Sequence, residues 1–332
     1  MKRKLLLAVF LLNIIVISRA QDTSYWPDEV KLFPGMDVEI FSIDKSHSKL
    51  NFSIGFFGFS DVEGTFGRFG GTVMYNEEDL TKTSISLLID AGTINTGSST
   101  RDKDLKKDKF FDIENHPLIT FKSKEVKKKG RNLMVVGDLT MKGITKELSI
   151  PFERTQGRFI DPFWSNLNIG FKGTITLKRN DFKVHGGSWG EKVLSEEVEI
   201  DFAIVAKQPN TFKWGPRELS AQIDEVLDLI ITEGVEASKV KYLELVKGLE
   251  KDGFAVTLPV KRLMQKHHFN KALAFCNFIM EKFPDHKGRI SRDMGRIYLY
   301  MGEKEKAGEI YKALSARNPY DTESWEVLKH LK

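Results

Sequence analysis

From Asp37 to Ala206 the apolar side chains recur at every second position, and this alternation limits the possible fold more than any other property of the chain. Leu50, Phe52, Ile54 and Phe56 alternate with Asn51, Ser53 and Gly55, and Ile85, Leu87 and Ile89 follow Ser84 and Ser86 in the same way. Val198, Ile200, Phe202 and Ile204 alternate with Glu197, Glu199 and Asp201. A period of two puts each apolar row on one face of a strand, and Gly, Asn and Asp between the rows mark turns. One dry face and one wet face describe an antiparallel sheet. About eight such segments predict a closed or nearly closed barrel. The inward parity changes between Phe66 and Phe69, which predicts a bulge near Gly67 or Arg68. An interior filled by phenylalanines and one that keeps a cavity fit this pattern equally well.

After Lys207 the period lengthens. Residues 208–217, with Pro209, Trp214, Gly215 and Pro216, read as a linker, and 218–332 as an all-α domain. Leu219, Ile223, Val226, Leu227 and Ile230 form its first apolar stripe. Within 290–323, Gly295, Tyr298, Gly302, Ala307, Tyr311, Leu314 and Pro319 have the spacing of a tetratricopeptide repeat. Leu263, Ala272, Cys276, Ile279 and Pro284 form a weaker copy, and Trp325 with Leu328 would begin a capping helix. Arrays of this kind present a concave face to a protein or peptide, so such a partner is expected. A plain helical bundle packed on the barrel is the alternative.

The N-terminus carries Lys2-Arg3-Lys4, an apolar run from Leu5 to Ile17, and Ser18-Arg19-Ala20 before Gln21. This is the pattern of a secretory signal peptide over residues 1–20 and predicts an exported protein, periplasmic or secreted, with no transmembrane segment in the mature chain. The same segment holds most of the formal charge of +5. The remainder is close to neutral, which argues against nucleic acid as a partner. The dense run Lys127-Lys128-Lys129-Gly130-Arg131 lies between strand-like segments and reads as a hairpin turn. Cys276 is the single cysteine, among apolar residues at helical spacing, and reads as a buried structural thiol. The histidines are scattered and no nucleophile motif is present, so no catalytic residue, metal site or tightly bound cofactor is expected. His185-Gly186-Gly187-Ser188-Trp189-Gly190 reads as a flexible loop between strands.

Thr100 to Ser123 forms a distinctive block. Ser98 or Ser99 caps a short polar helix, Asp102 favours its start, Pro117 ends helical continuation, and Ile119, Phe121 and Ser123 open a strand. Together with Ile43-Asp44, His47-Ser48, Gly58-Phe59-Ser60, Gly64-Thr65-Phe66, Phe110-Phe111, Gly137-Asp138-Leu139-Thr140, Gly143-Ile144-Thr145-Lys146 and Arg179-Asn180-Asp181-Phe182, it resembles the YceI-like family over about residues 38–206. The resemblance implies a lipocalin-like, eight-stranded polyisoprenoid-binding barrel with a helix near its mouth. One departure is Phe56, where relatives often have histidine, which implies a drier pocket.

The domains read as a barrel over 36–207 followed by the helical region. The expected function is a non-enzymatic envelope protein that holds a long-chain lipid, a polyisoprenoid or quinone, and docks on a partner through its helices. The alternative is an interaction scaffold whose barrel is filled. Phe52, Ile54, Phe56, Phe66, Phe121, Ile169 and Phe171 are the candidate tunnel residues, and a bulky side chain at Gly173 is expected to block the tunnel. Arg101, Asp102 and His47 are the head-group candidates, Arg101 because guanidinium pairs with phosphate or carboxylate.

Overall fold

A computed structural model describes residues 36–129, 132–161, 166–208 and 217–332. The signal-peptide segment, the tip of the Lys127–Arg131 turn and most of the linker lie outside these residues. Eleven strand segments make one antiparallel sheet: β1 (Glu39–Ile43), β2 (Lys49–Phe56), β3 (Ser60–Phe66), β4 (Phe69–Tyr75), β5 (Ser84–Asp90), β6 (Ile94–Asn95), β7 (Leu118–Lys129), β8 (Asn132–Met141), β9 (Ile144–Ile160), β10 (Leu167–Lys178) and β11 (Leu194–Gln208). Three sharp breaks reduce them to eight strands. A 3-10 turn capped by Asp44 divides β1 from β2, Gly67-Arg68 divides β3 from β4 at the predicted parity change, and a turn capped by Asp90 divides β5 from β6. Each strand pairs with its sequence neighbour, and β1 closes the ring on β11 through Ser42 and Lys207.

Glycines placed across from phenylalanines shape the interior. Gly64 pairs with Phe52, and Gly173 with Phe202. A Cβ on Gly64 would stand 2.3 Å from Phe52 Cζ, and one on Gly173 would stand 2.6 Å from Phe202 Cζ. Each ring lies over the bare backbone opposite, as in aromatic rescue of a strand glycine. Gly173 is thus already covered, and a bulky residue there would collide with Phe202 and the Pro151 carbonyl rather than plug an open channel. At one end of the barrel Phe41, Val73, Tyr75, Ile169 and Phe171 pack into a filled core. An apolar void of only about 60 Å³ remains above it, between Val73, Phe171, Phe202 and Ile204. Gly64→Ala should push the Phe52 ring into the open end of the barrel and destabilise the fold by about 1 kcal/mol, the low end for overpacking, because free space receives the ring. An unchanged urea midpoint together with an unchanged cavity would count against this account.

The helical half comprises α3 (Arg217–Thr232), α4 (Val235–Leu245), α5 (Gly253–Gln265), α6 (Phe269–Lys282), α7 (Lys287–Tyr300), α8 (Lys304–Arg317) and α9 (Thr322–His330), after two short helices in the barrel, α1 (Ser99–Leu105) and α2 (Gly187–Val193). Ile223, Leu227, Tyr242, Leu263, Phe275 and Ile279 belong to its main core, where Cys276 is fully buried and its thiol is pushed well above the ordinary range. Gly295 lets α7 approach α8, since a Cβ there would meet Tyr311 at 2.9 Å. The last helices do not stand free. Leu299, Ala307, Tyr311, Leu314 and Val327 share a core with Met36, Val38, Ile40 and Met74 on the outer face of the barrel. Along the same seam Thr72 Oγ1 meets Thr322 Oγ1 at 2.9 Å, and Ser84 and Ser86 both donate to the Glu326 carboxylate. Lys329 Nζ donates to the Ser123 carbonyl at 2.8 Å, and Lys122 Nζ stands 3.6 Å from the centroid of the Trp325 ring. This end of the helical region is therefore packed on the barrel, as in the bundle alternative.

Candidate functional site

The barrel end opposite the filled core encloses a cavity of about 680 Å³, within the roughly 300–1,000 Å³ typical of small-molecule sites. Phe52, Ile54, Phe56 and Phe66 form one wall, and Leu177, Val198 and Ile200 another. Phe110, Phe111, Phe182 and Trp189 lie around them, and the polar groups gather near Arg101, Asp104, Lys107 and Lys109. The wall residues come from alternate positions of β2, β3, β10 and β11, so strand pleating alone turns them inward.

The mouth is built by local chemistry. Ser98 caps α1 by accepting from the Arg101 amide at 3.5 Å. The Asp102 carboxylate accepts from the Thr96 amide at 2.9 Å and from its hydroxyl at 2.6 Å. Arg101 Nε donates to the same hydroxyl at 2.8 Å, and Nη2 donates to the Thr96 carbonyl at 2.9 Å. A hydroxyl has one proton and two lone pairs, so Thr96 can serve both neighbours at once. No carboxylate pairs with Arg101 among the described residues. Its guanidinium is held in place by neutral oxygens and keeps its charge available to the cavity.

Elsewhere on the rim Arg179 organises the segment before β11. It is buried, and its guanidinium donates to the carbonyls of Ser195 at 2.8 Å, His185 at 2.8 Å, Gly190 at 3.0 Å, Val184 at 3.1 Å and Leu194 at 3.2 Å. The segment expected to be a flexible loop is instead the short helix α2, entered through Gly186 and Gly187, both at positive φ. A single buried cation that satisfies five carbonyls converts a glycine-rich stretch into a fixed rim.

The predicted site residues divide clearly. Phe52, Ile54, Phe56, Phe66 and Arg101 line the cavity, and Asp102 stands just behind it, holding Thr96. Phe121 packs in the core with Phe66 and Ile89 without reaching the cavity wall. Ile169 and Phe171 lie in the filled end, where Phe171 packs edge-on against Tyr75 with ring centroids 5.9 Å apart. His47 sits on the turn between β1 and β2, 74% exposed and 2.8 Å from Asp44, away from the cavity. Val198, Ile200 and Leu177 also line it, although they are not among the tunnel candidates and the sequence marks them only through the alternation of their strands. Trp189 carried no periodic signal, because its place depends on Arg179. Among the described residues no group of three or more His, Cys, Asp or Glu could hold a metal ion, and no helix is long and apolar enough to cross a membrane.

A closed eight-stranded antiparallel barrel with an apolar cavity at one end is a lipocalin-like container. The model of the YceI-like domain matches residues 41–206. The chain belongs to the YceI-like family. It is 32% identical to protein YceI of Salmonella arizonae over 170 residues, spanning 51% of this chain and 86% of that one. It is also 32% identical to a UPF0312 protein of Pectobacterium atrosepticum over 164 residues, 49% of this chain and 83% of the relative. Among solved structures, Burkholderia cenocepacia BcnA aligns with a TM-score of 0.45 at 24% identity, covering 49% of this chain and 98% of its own. A polyisoprenoid binding domain from Saccharophagus degradans aligns with a TM-score of 0.39 at 17% identity, covering 51% and 98%. The family match ends before the helical half begins.

Proposed function

We propose that this protein is a non-enzymatic carrier of the exported compartment that holds the apolar chain of an isoprenoid, quinone or similar lipid in its barrel. The observation that carries the reading is the apolar cavity, closed below by packed side chains and open beside Arg101. At about 30 Å³ per water-sized group, the volume accepts on the order of twenty carbon atoms. Each methylene withdrawn from water contributes about 0.8 kcal/mol, so the chain needs few polar contacts. A longer tail would leave its end outside or displace Phe52 and Phe66. Arg101, with Lys107 and Lys109 near it, suits a phosphate or carboxylate head. The filled-scaffold alternative has less support, since a scaffold needs no space. The helical half would meet a partner through α3 to α6, where Val240 and Leu243 of α4 are exposed.

Organic extraction of the purified exported protein, read by mass spectrometry, should release a long-chain lipid. Arg101→Ala should lower affinity for a phosphorylated prenyl chain about tenfold relative to the matching prenyl alcohol, as expected for loss of one hydrogen bond to a charged group. Clean extracts from protein made in several exporting hosts would sink the reading.

A further inference from the structure

The rim of the cavity exposes aromatic rings that fold stability does not require. Phe59 is 89% exposed, Trp189 57% and Phe57 53%. Phe57 and Gly58 are the central residues of the β2–β3 turn, with φ of 52° and 70°, closed by the Phe59 amide on the Phe56 carbonyl at 3.0 Å. A turn with two positive φ angles favours Asn-Gly, and a phenylalanine at its first centre is both conformationally costly and wet. The Phe57 amide donates to the Val193 carbonyl at 2.8 Å, which joins this turn to the end of α2, the helix that carries Trp189. The Phe57 ring packs edge-on against Phe56, a residue of the cavity wall, with centroids 4.8 Å apart.

The α1 side of the rim carries a basic surplus. Arg101, Lys107 and Lys109 line the cavity, and Lys103 and Lys106 lie on the same short segment, five basic side chains against Asp102, Asp104 and Asp108. Asp104 is itself paired with Lys107 at 2.6 Å. Exposed aromatic rings beside a surplus of basic side chains match the interface of an anionic bilayer, where rings enter the head-group boundary and lysines meet lipid phosphates.

We infer that the open end of the barrel docks on the surface of an anionic bilayer, with Phe57, Phe59 and Trp189 inserted and the α1 segment against the head groups. A lipid then slides from the membrane into the cavity without crossing water. The docking rests on the rim alone; only its purpose rests on the proposed lipid reading.

The test is sedimentation of the full mature chain with phosphatidylglycerol–phosphatidylcholine vesicles and with pure phosphatidylcholine vesicles. The protein should pellet with the first and much less with the second. The double variant Phe57→Asn, Phe59→Ser should lose about tenfold in partitioning, the equivalent of about 1.4 kcal/mol. Because it installs Asn-Gly in the turn, its thermal midpoint should hold or rise, and because neither residue lines the cavity, binding of an anilinonaphthalene sulfonate dye should be unchanged. Equal pelleting of variant and parent overturns the inference, as does no pelleting with either vesicle. A vesicle-free dimer abolished by the same variant also overturns it, since the rings would then belong to a second copy. Vesicle binding by a protein whose extracts hold no lipid would sink the carrier reading and leave the docking intact.

Discussion

Ile54→Trp combined with Val198→Trp should leave a folded barrel that no longer retains lipid. The two positions face each other as a cross-strand pair between β2 and β11, and both side chains line the cavity. Two indoles there would occupy the middle of the space that the alkyl chain needs. Displacing even four methylenes forfeits about 3 kcal/mol at about 0.8 kcal/mol each, so affinity should fall about a hundredfold. Enlarging side chains in a packed core costs about 1–3 kcal/mol through strain, but these point into open space, so the unfolding midpoint should move little. Extraction of the same lipid in the same amount from parent and variant would mean that the chain lies elsewhere. A filled scaffold would be indifferent to the change, which makes this pair the sharpest division between the two readings of the barrel.

The second large effect is expected outside the cavity, where Glu323→Ala should loosen the helical half by about 3–5 kcal/mol, the range for one partner removed from a buried ion pair. Glu323 is only 5% exposed. It accepts from Arg296 Nε at 2.8 Å and Nη2 at 2.6 Å, and from the Tyr311 hydroxyl at 2.8 Å. Beside it Arg292 makes a two-pronged contact with Asp321, both arms 2.9 Å. Burial by itself would raise the Glu323 pKa, but Arg296 and then Arg292 overcome it and hold the carboxyl down to about 2. Its contribution is complete above the unfolded value near 4.5 and is lost as pH falls from there through about 2.

His330, 2.9 Å from Ser84 Oγ, acts in a higher window. Burial, aided by Lys329, pushes its pKa down to about 4, so the native protein resists a proton that the unfolded chain accepts below about 6.5. The docked α9 should therefore weaken from pH 6.5 downward, first through His330 and then through Glu323. Urea unfolding across pH should show both stages in the parent, with the lower one absent in Glu323→Ala. An unchanged pH profile in the variant would remove Glu323 from this role.

Much of the container was legible because strand pleating is a local rule. Phe52, Ile54, Phe56 and Phe66 alternate with polar residues and do line the cavity. The interruption at Gly67-Arg68 was visible as a slip in parity. Ile169 and Phe171 obey the same alternation and yet sit in the filled end. Parity tells which face a residue occupies but not how far along the barrel axis it lies, since that height depends on the tilt and stagger of all eight strands. His47 was misleading for a related reason: its partner Asp44 is local, whereas the cavity is assembled from distant segments.

The chain by itself determined the barrel, the change to helices after Lys207 and the family, since each follows from periods and spacings that act over a few residues. Three things were decided only by tertiary structure: the depth at which the core stops and the cavity begins, the fixing of α2 around Arg179, and the burial of α9 against β4 and β5. Each depends on groups that no shared strand or helix period links meeting within a few ångströms. Phe202 covers Gly173, Arg179 collects carbonyls from both ends of a glycine-rich segment, and Glu326 finds Ser84 and Ser86. Such meetings follow from how the strands, turns and helices come together and leave no periodic trace in the chain that makes them.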